Sequence, residues 1–486
     1  MTQYDTNIRL VSDNDTTPKR IKRLYLRDNL EALRQMEDRV VDLVYLDPPF
    51  NSNRNYKIVF RGPEPLRPMA HLPAFEDVWT WDESTEELSG ELLRGLAGRL
   101  VADAVQGLMN LLGRDRMMAY LVNIAPRLAE LRRVMRETGT VYLHCDPTAS
   151  HYLKVIMDAV FGRENFRNEI TWCYRGGGVP RSDFARKHDV ILRYSKSVSV
   201  IFNPQFTEYS QASKSLVQSR GGVSIDNKTR DLKRGAHMPD WWSDINSLQT
   251  WSPERTGYPT QKPVRLLERI IAVSSNCGDT VLDPFCGCGT SMVAAERLGR
   301  SWIGIDIEPM ALSVLQQRFE AERIDVDFEI DGLPSTKASD IDNWSAMAVS
   351  DPDRFERAAI SQIKGCIPWR NQQGFGLGID AVLTLQSVAE ESRHAIVRVA
   401  GCDLSNGTIL GDLRRAVERS TDDGIVAGLL VCPSKPKQEI QNVARQAGQT
   451  EVGGHAYPRL GVSGLDEVFD RINRNLPVLP NLPRAN

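Results

Sequence analysis

The sequence predicts an α/β fold, and three observations support this prediction. Short apolar segments of strand type alternate with segments of helical spacing along the chain. Two acidic turns directly follow strand segments, at Asp47–Phe50 and at Asp283–Thr290. The second turn is rich in glycine and leads into a helical segment, an arrangement that brings the backbone of an α/β protein close to a ligand.

Individual elements are predicted from apolar spacing and from the residues that interrupt it. A buried strand is expected at Val41–Leu46, stopped by Pro48 and Pro49, and the helix before it carries Leu30, Leu33 and Met36 with Asn29 as its cap. The other predicted elements are a helix at Leu121–Met135, a strand at Thr140–Cys145 opened by Gly139, and strands at Thr280–Leu282 and Ser301–Ile305.

The overall composition is that of a globular protein with more than one core. At 486 residues the chain exceeds the usual size of a single core, and hydrophobic and charged residues make up 41% and 25% of it. No apolar stretch reaches the length of a membrane span, and Met1–Leu10 lacks the apolar core of a secretory signal. The eight cysteines are scattered, so we expect a cytoplasmic protein without a disulfide framework or membrane contact.

Composition changes along the chain predict its domain organisation. Residues 163–255 are irregular and rich in Arg, Ser, Gly and Trp, which indicates an inserted recognition region. Residues 163–262 contain 16 Lys and Arg against 10 Asp and Glu, although the net charge of the whole chain is −3. Such a local surplus can meet phosphates, but it is also typical of a solvated surface. A polar linker is expected at about 332–343, which separates a first domain at 20–335 from an α/β domain at 345–486.

The glycine-rich turn has the features of a cofactor site. Its glycines permit close backbone approach, and Asp306 ends the next strand 23 residues after Asp283, where an acid commonly accepts ribose hydroxyls. A phosphate-binding loop would carry Lys after its last glycine, but Thr290 stands there, which argues against a nucleoside triphosphate. Asp283 suits a cofactor with an ammonium and a sulfonium group. Cys286 and Cys288 lack further ligands nearby, which favours small-residue packing over a metal site.

The turn at Asp47–Phe50 has the features of a catalytic site for an aromatic amine. Its two prolines donate no N–H, so the turn presents carbonyls and one carboxylate. Two hydrogen bonds from an amine, to the Asp47 carboxylate and the Pro48 carbonyl, would localise the nitrogen lone pair that the ring otherwise delocalises. Phe50 could stack on a base flipped out of a duplex. The alternative is a plain Pro-Pro turn after a strand.

Together the two turns resemble the motifs of the DNA amino-methyltransferases. D-P-P-F at 47–50 is similar to their catalytic motif, and D-P-F-C-G-C-G-T at 283–290 is similar to their cofactor motif. The catalytic motif comes first, with a long insertion between, which is typical of the circularly permuted β group. The resemblance covers about 20–335. It implies a Rossmann-like mixed sheet, S-adenosylmethionine as cofactor, no metal, and methyl transfer to adenine N6 in duplex DNA.

The resemblance also implies which residues form the sites. Leu24–Asn29 resembles the segment whose acid lies near the cofactor's adenine, and Thr260–Pro263 resembles the segment beside its methionine tail. The catalytic residues would be Asp47, Pro48, Pro49 and Phe50. The cofactor-binding residues would be Asp28, Thr260, Lys262, Asp283, Pro284, Phe285, Gly287, Gly289, Thr290 and Asp306. The DNA-binding residues would be Arg181, Arg186 and Lys187.

From about Asp351 the chain carries Phe355-Glu356-Arg357, Gly378-Ile379-Asp380 and a strand at Ala395–Val399, and these segments resemble a second family, the restriction-endonuclease-like fold. Active members pair an acid, here Asp380, with a second strand that carries an acid or Gln and then a Lys. Those two places hold Arg398 and Ala400, so the domain looks degenerate and is expected not to cut DNA. A plain α/β accessory domain is the alternative.

Several functions stay open at this point. Asp at the first motif position favours adenine N6, whereas Ser would favour cytosine N4. An RNA or protein-glutamine methyltransferase is disfavoured by the motif order, and a guided nuclease by Ala400. A DNA-binding module without catalysis is disfavoured because both turns are intact. The chain could act as a homodimer or with a partner subunit of a restriction system.

Overall fold

The computed structural model describes most of the chain. The described residues are 20–50, 54–60, 70–176, 180–209, 211, 215, 235–363, 365–369, 380–388, 391–401, 408–421, 424–474 and 476–479. Among them no helix combines the length and apolar character needed to cross a membrane.

The strands are β1 (Lys22–Leu26), β2 (Val41–Leu46), β3 (Arg54–Phe60), β4 (Ala70–Asp77), β5 (Met135–Cys145), β6 (Phe166–Cys173), β7 (His188–Ser195), β8 (Phe206–Thr207), β9 (Ala236–His237), β10 (Trp241–Trp242), β11 (Thr280–Asp283), β12 (Ser301–Asp306), β13 (Glu329–Asp331), β14 (Cys366–Trp369), β15 (Asp380–Val388), β16 (Glu391–Val399), β17 (Ile425–Cys432), β18 (Gln449–Val452), β19 (His455–Pro458) and β20 (Leu460–Gly464). The helices are α1 (Asn29–Gln35), α2 (Glu83–Leu93), α3 (Arg99–Leu112), α4 (Arg116–Val134), α5 (Ser150–Phe161), α6 (Val264–Ser274), α7 (Thr290–Arg297), α8 (Met310–Ala321), α9 (Ile341–Ser350), α10 (Pro352–Gln362), α11 (Thr408–Arg419), α12 (Gln438–Arg445) and α13 (Leu465–Asn473).

The larger sheet has nine strands in the order β10-β6-β7-β5-β2-β11-β12-β1-β13, which confirms the predicted mixed α/β sheet. β7 runs antiparallel to both neighbours, and the other pairs are parallel. All six residues of β2 are buried, and full burial of an aliphatic side chain contributes about 1.5–3 kcal/mol. Since β2, β11, β12 and β1 are adjacent and parallel, the loops that follow them meet at one edge of the sheet.

Two sequence predictions are wrong in detail. The cap of α1 is Asp28, whose carboxylate accepts the backbone N–H groups of Leu30 and Glu31, while Asn29 is the first helical residue. Ser, Thr, Asn and Asp all favour the cap position, and tertiary contacts decided between the two neighbours. The start of the region expected to be irregular, 163–255, instead contributes β6 and β7 to the large sheet. Their side chains alternate too weakly in the sequence to distinguish them from the polar loops around them.

A second sheet of five strands, in the order β14-β15-β16-β17-β20, lies in the C-terminal part. Its core joins Trp344 of α9 and Phe355 of α10 to buried side chains of β16, β17 and α13. α9 begins at Ile341, so the stretch expected to be a linker to Asn343 already includes a first helical turn. The domain limits of 20–335 and 345–486 stay a prediction.

The C-terminal sheet is expected not to cleave DNA. The register of β15 and β16 pairs Asp380 with Arg398, and Arg398 and Ala400 are both buried. A buried guanidinium paired in register with the acid opposes a divalent cation, and Ala400 offers no charge for the scissile phosphate. Purified protein incubated with unmethylated plasmid and Mg²⁺ or Mn²⁺ should leave the plasmid intact. Cleavage that disappears in Asp380→Ala would contradict this assignment. Asp403, a further acid nearby, lies outside the described residues.

Candidate active site

A cavity of about 340 Å³ lies at the edge of the large sheet where the loops after β1, β2, β11 and β12 meet. All the predicted catalytic residues and all but one of the predicted cofactor-binding residues line it. These are Asp28, Asp47, Pro48, Pro49, Phe50, Thr260, Lys262, Asp283, Pro284, Phe285, Gly287, Thr290 and Asp306. The two turns, far apart in the sequence, therefore face one space.

Gly289 is the predicted residue that is absent from the cavity wall. It precedes α7 in the left-handed conformation, with φ of 73°, and a Cβ there would lie 2.3 Å from Leu315 Cδ1. Gly287 also has positive φ, and a Cβ would lie 2.8 Å from the Tyr258 ring. Glycine is needed at both positions because the turn is left-handed and closely packed.

Asp47 has one oxygen engaged and one without a partner. Lys262 Nζ donates to Asp47 Oδ2 at 2.5 Å, and the two residues are 215 positions apart. Asp47 Oδ1 is buried and accepts no hydrogen bond from the described residues. A buried acceptor without a donor costs free energy, so this atom is prepared to receive a donor from a ligand. The Lys262 ammonium also lies 5.2 Å from the centre of the Phe50 ring.

Two further carboxylates line the cavity: the buried Asp283 at the end of β11 and the half-buried Asp306 at the end of β12. Asp283 accepts the backbone N–H of Phe285 at 3.0 Å and the hydroxyl of Ser291. Asp306 accepts the N–H groups of Gly287 at 2.8 Å and Glu308 at 2.9 Å. Burial raises the pKa of Asp283 to about 7 and that of Asp306 to about 6. A cation or hydroxyl donor in the cavity would stabilise their ionised forms.

Asp28 is held by contacts that the sequence did not indicate. Besides capping α1, its carboxylate accepts a hydrogen bond from Arg127 Nη2 at 2.7 Å. Arg127 is almost fully buried in α4 and also donates to Asn29 Oδ1 at 2.5 Å. Asn29 in turn donates to the carbonyl of Pro284 at 2.8 Å, which ties the loop after β1 to the glycine-rich turn.

A buried polar chain lies behind the catalytic turn. The hydroxyl of Tyr45 lies 2.9 Å from Nδ1 of His144, and Nε2 of the same ring lies 3.1 Å from Oδ2 of Asp189. Tyr174 donates to the other oxygen of Asp189 at 3.0 Å. The hydrogen bond from His144 helps to lower the pKa of Asp189 against the opposing effect of burial. Phe50 stacks on His144 with ring centres 6.0 Å apart, so this chain supports the catalytic turn from below.

Two of the three predicted DNA-binding residues lie together. Arg186 and Lys187 line a groove of about 570 Å³ together with Arg175 and Tyr174. Arg181 is exposed but does not line it. Phe184, on the same loop, is 99% exposed. Because Tyr174 contacts Asp189, the groove adjoins the polar chain beneath Phe50.

Sequence reasoning missed several residues of the site. Tyr258 lies two positions before Thr260, and Asn29 is adjacent to Asp28, so proximity to a predicted motif could have indicated both. Arg127 and His144 had no such signal, because each lies in a predicted helix or strand whose neighbours are apolar.

This chain is similar in sequence to known methyltransferases. Residues 41–317 match the family model described as DNA methylase. The Type II methyltransferase M.EcaI of Enterobacter cloacae is 28% identical over 265 residues, which cover 42% of this chain and 58% of that protein. The DNA adenine methyltransferase YhdJ of Escherichia coli (strain K12) is 23% identical, over 67% of this chain and 92% of that protein. A putative DNA modification methylase of Thermus thermophilus, solved with S-adenosyl-L-methionine, is 17% identical with a TM-score of 0.37, over 64% of this chain and 99% of that chain.

The raised pKa of Asp283 should make stability fall as the pH rises. The value is 3.8 in an unfolded chain and about 7 in the cavity. The folded state therefore binds the proton more tightly, and the free energy of unfolding decreases by up to about 1.4 kcal/mol per pH unit between those values. Asp283→Asn does not titrate and should flatten this part of the profile. Urea unfolding from about pH 5 to about pH 8 measures it.

The exposed Asp325→Asn serves as the control for this experiment and should keep the wild-type slope. Equal slopes for the wild type and Asp283→Asn would contradict the raised pKa.

Proposed function

The chain belongs to the DNA methylase family, and we propose that it transfers a methyl group from S-adenosylmethionine to the N6 amine of adenine in duplex DNA. The observation that carries this proposal is the buried, unpartnered Oδ1 of Asp47 at the wall of the cavity that Asp283 and Asp306 also line. The segment matched to M.EcaI spans 58% of that protein, so the activity of this chain is proposed from the residues of its own cavity.

The acidic cavity is suited to a cationic nucleoside cofactor. The carboxylate of Asp283 would receive the ammonium group, with Thr260 on the same side. Asp306 already accepts two N–H groups, but each carboxylate oxygen can accept a second hydrogen bond, so ribose hydroxyls can be added. Asp28, which also lines the cavity, would lie near the adenine. The remaining wall is contributed by Pro284, Phe285, Gly287 and Thr290.

Asp47 would activate the target amine by accepting a hydrogen bond from it. The nitrogen lone pair of an exocyclic amine is delocalised into the base, and a hydrogen bond to Oδ1 favours the form in which it is localised. Lys262 donates to Oδ2 and holds the carboxylate in a fixed orientation. When bound, S-adenosylmethionine supplies the electrophilic methyl group. The amine proton can leave to water after transfer, so Asp47 acts as an acceptor and orienting group.

The stacked pair of Phe50 and His144 would support a base that has left the duplex. Phe50 lines the cavity and His144 lies behind it, fixed by Tyr45 and Asp189. A flipped base loses its stacking in the duplex, and contact with an apolar surface compensates for part of that loss. The support from below limits rotation of Phe50 and so reduces the entropy lost when the base binds.

Adenine is preferred over cytosine on two grounds. The catalytic motif begins with Asp, which in the resembled family favours adenine N6, and YhdJ is named a DNA adenine methyltransferase. M.EcaI is named a Type II methyltransferase, so we further propose that this chain is the modification enzyme of a restriction system. Transfer to cytosine N4 is the alternative, and the experiment below distinguishes it.

The groove beside the cavity would hold the DNA backbone. Arg175, Arg186 and Lys187 line it, and arginine and lysine side chains commonly contact DNA phosphates. Arg181 is exposed on the same loop and could add a further contact. In this proposal residues 20–335 form the methyltransferase domain and 345–486 an accessory domain.

Mass analysis of nucleosides from methylated DNA tests the proposed reaction. DNA incubated with the protein and S-adenosylmethionine should yield N6-methyladenine. Asp47→Ala should reduce the rate by about 10²-fold or more, because it removes the acceptor that acts on the amine, while cofactor affinity stays close to wild type. The exposed Asp325→Ala should retain full activity. N4-methylcytosine would establish the alternative, and DNA without any modified base would refute the proposal.

The salt dependence of DNA binding tests the groove. Arg186→Ala should lower DNA affinity and reduce the slope of log Kd against log salt by about one, as expected for one lost phosphate contact. If Arg186 instead contacts a base edge, sequence preference will relax while the slope changes little. Arg414→Ala, an exposed arginine of α11 far along the chain, is the control. An unchanged affinity and slope would show that the groove does not contact DNA.

A further inference from the structure

α10 contacts the ends of the two strands that border the cofactor side of the cavity. Arg354, in the first turn of α10, donates from Nη2 to the carbonyl of Leu26 at 2.6 Å and from Nη1 to the carbonyl of Ile307 at 3.1 Å. Leu26 is the last residue of β1 and pairs in register with Asp306, the last residue of β12. One guanidinium therefore joins the two loops that carry Asp28 and Asp306.

Arg357, one turn further along α10, contacts the same loop. Its Nε lies 3.3 Å from Oε1 of Glu308, and both side chains are mostly buried. Glu308 also accepts the backbone N–H of Met310 and donates its own N–H to Asp306. A continuous series of contacts thus runs from Arg357 through Glu308 to the carboxylate assigned to the ribose.

Apolar packing reinforces these polar contacts. Met310 and Val314 of α8, which follow the Asp306 loop, share one core with Trp344 and Phe355 of the C-terminal part. Tyr258 belongs to the same core and packs against Gly287 in the glycine-rich turn. The segment after Asp306 and the glycine-rich turn therefore both pack on a core that includes side chains beyond residue 317, where the match to the family model ends.

The pKa of Glu308 also depends on the two arginines. Burial raises the pKa of Glu308 to about 7, and the positive charges of Arg357 and Arg354 oppose that rise. Without them Glu308 would be a buried carboxyl close to Asp306, whose own charge disfavours a second ionised acid nearby. The arginines thus stabilise the charge of an acid two residues before α8, whose carboxylate accepts the backbone N–H of Met310.

From these contacts we propose that the C-terminal region positions the loop carrying Asp306, through Arg354 and Arg357, and thereby sets the affinity of the cavity for S-adenosylmethionine. The inference rests on the proposed function for the identity of the cofactor. It gives the C-terminal region a role in the methyltransferase site that does not depend on nuclease activity or on contact with DNA. Arg354 and Arg357 are positioning residues, since neither lines the cavity.

Arg354→Met in the full-length protein tests the inference. Methionine retains much of the apolar side chain but loses both hydrogen bonds. The Kd for S-adenosylmethionine, measured by calorimetry, should rise about tenfold, because hydrogen bonds from charged donors are among the stronger ones. The KM for the cofactor should rise in parallel, with kcat at saturating cofactor and DNA affinity unchanged. Arg354→Lys, which can reach one of the two carbonyls, should restore part of the affinity.

The control is Arg414→Met, which removes an exposed arginine and its surface ion pair from the same C-terminal part and should match the wild type. Hydrogen exchange without cofactor gives a second measurement. Amides at 306–310 should exchange faster in Arg354→Met than in the wild type or the control. Should Arg354→Met fail to fold, Arg357→Gln removes only the contact with Glu308 and should raise the same Kd and exchange rates.

The outcomes separate this inference from the proposed function. A wild type that binds S-adenosylmethionine, with Arg354→Met and Arg357→Gln binding it equally well, would overturn the inference and leave the function standing. A general loss of both cofactor and DNA affinity, with exchange increased throughout the chain, would also overturn it, since the arginines would then serve only overall stability. A wild type without affinity for S-adenosylmethionine would refute the proposed function, and this inference with it.

Discussion

Parallel pairing of β2, β11, β12 and β1 requires their carboxyl ends to lie at one edge of the sheet, and four acids that line the cavity lie at or just after those ends: Asp28, Asp47, Asp283 and Asp306. Asp47, Asp283 and Asp306 are brought together by this pairing, although their negative charges repel one another. The arrangement carries an electrostatic cost: burial raises the pKa values of both Asp283 and Asp306, and the nearby charges of Asp47 and Asp306 add to the rise at Asp283. Lys262 offsets part of it at Asp47, and a cationic ligand would offset more.

The turn at Asp47–Phe50 depends on strands that the two sequence motifs do not include. β7 runs antiparallel beside β5 and carries Asp189 to His144, which in turn supports Phe50. The groove lined by Arg186 and Lys187 begins on the loop that leads into β7. A change in the loop that carries Arg186 and Lys187 can therefore reach the turn at Asp47–Phe50 through Tyr174, Asp189 and His144.

The C-terminal part packs against the segment that follows β12. A shared apolar core and two arginines of α10 connect it to the segment after β12. Buried polar contacts of this kind are costly to break, since each leaves a carbonyl or carboxylate without its partner. In the same region Arg398 is buried at the register position opposite Asp380.

Local sequence determined the strands at 41–46 and 280–283, the α/β class and the two turns that carry Asp47 and Asp283, because prolines, glycines and apolar spacing act on immediate neighbours. Only the tertiary structure decided what those turns contact. Lys262 meets Asp47 across 215 residues, and Arg127 meets Asp28 across 99, through strand order that no local pattern encodes. Packing likewise decided the cap at Asp28 and the placement of β6 and β7. The local sequence allowed either Asp28 or Asn29 as the cap, and either strand or irregular structure at β6 and β7.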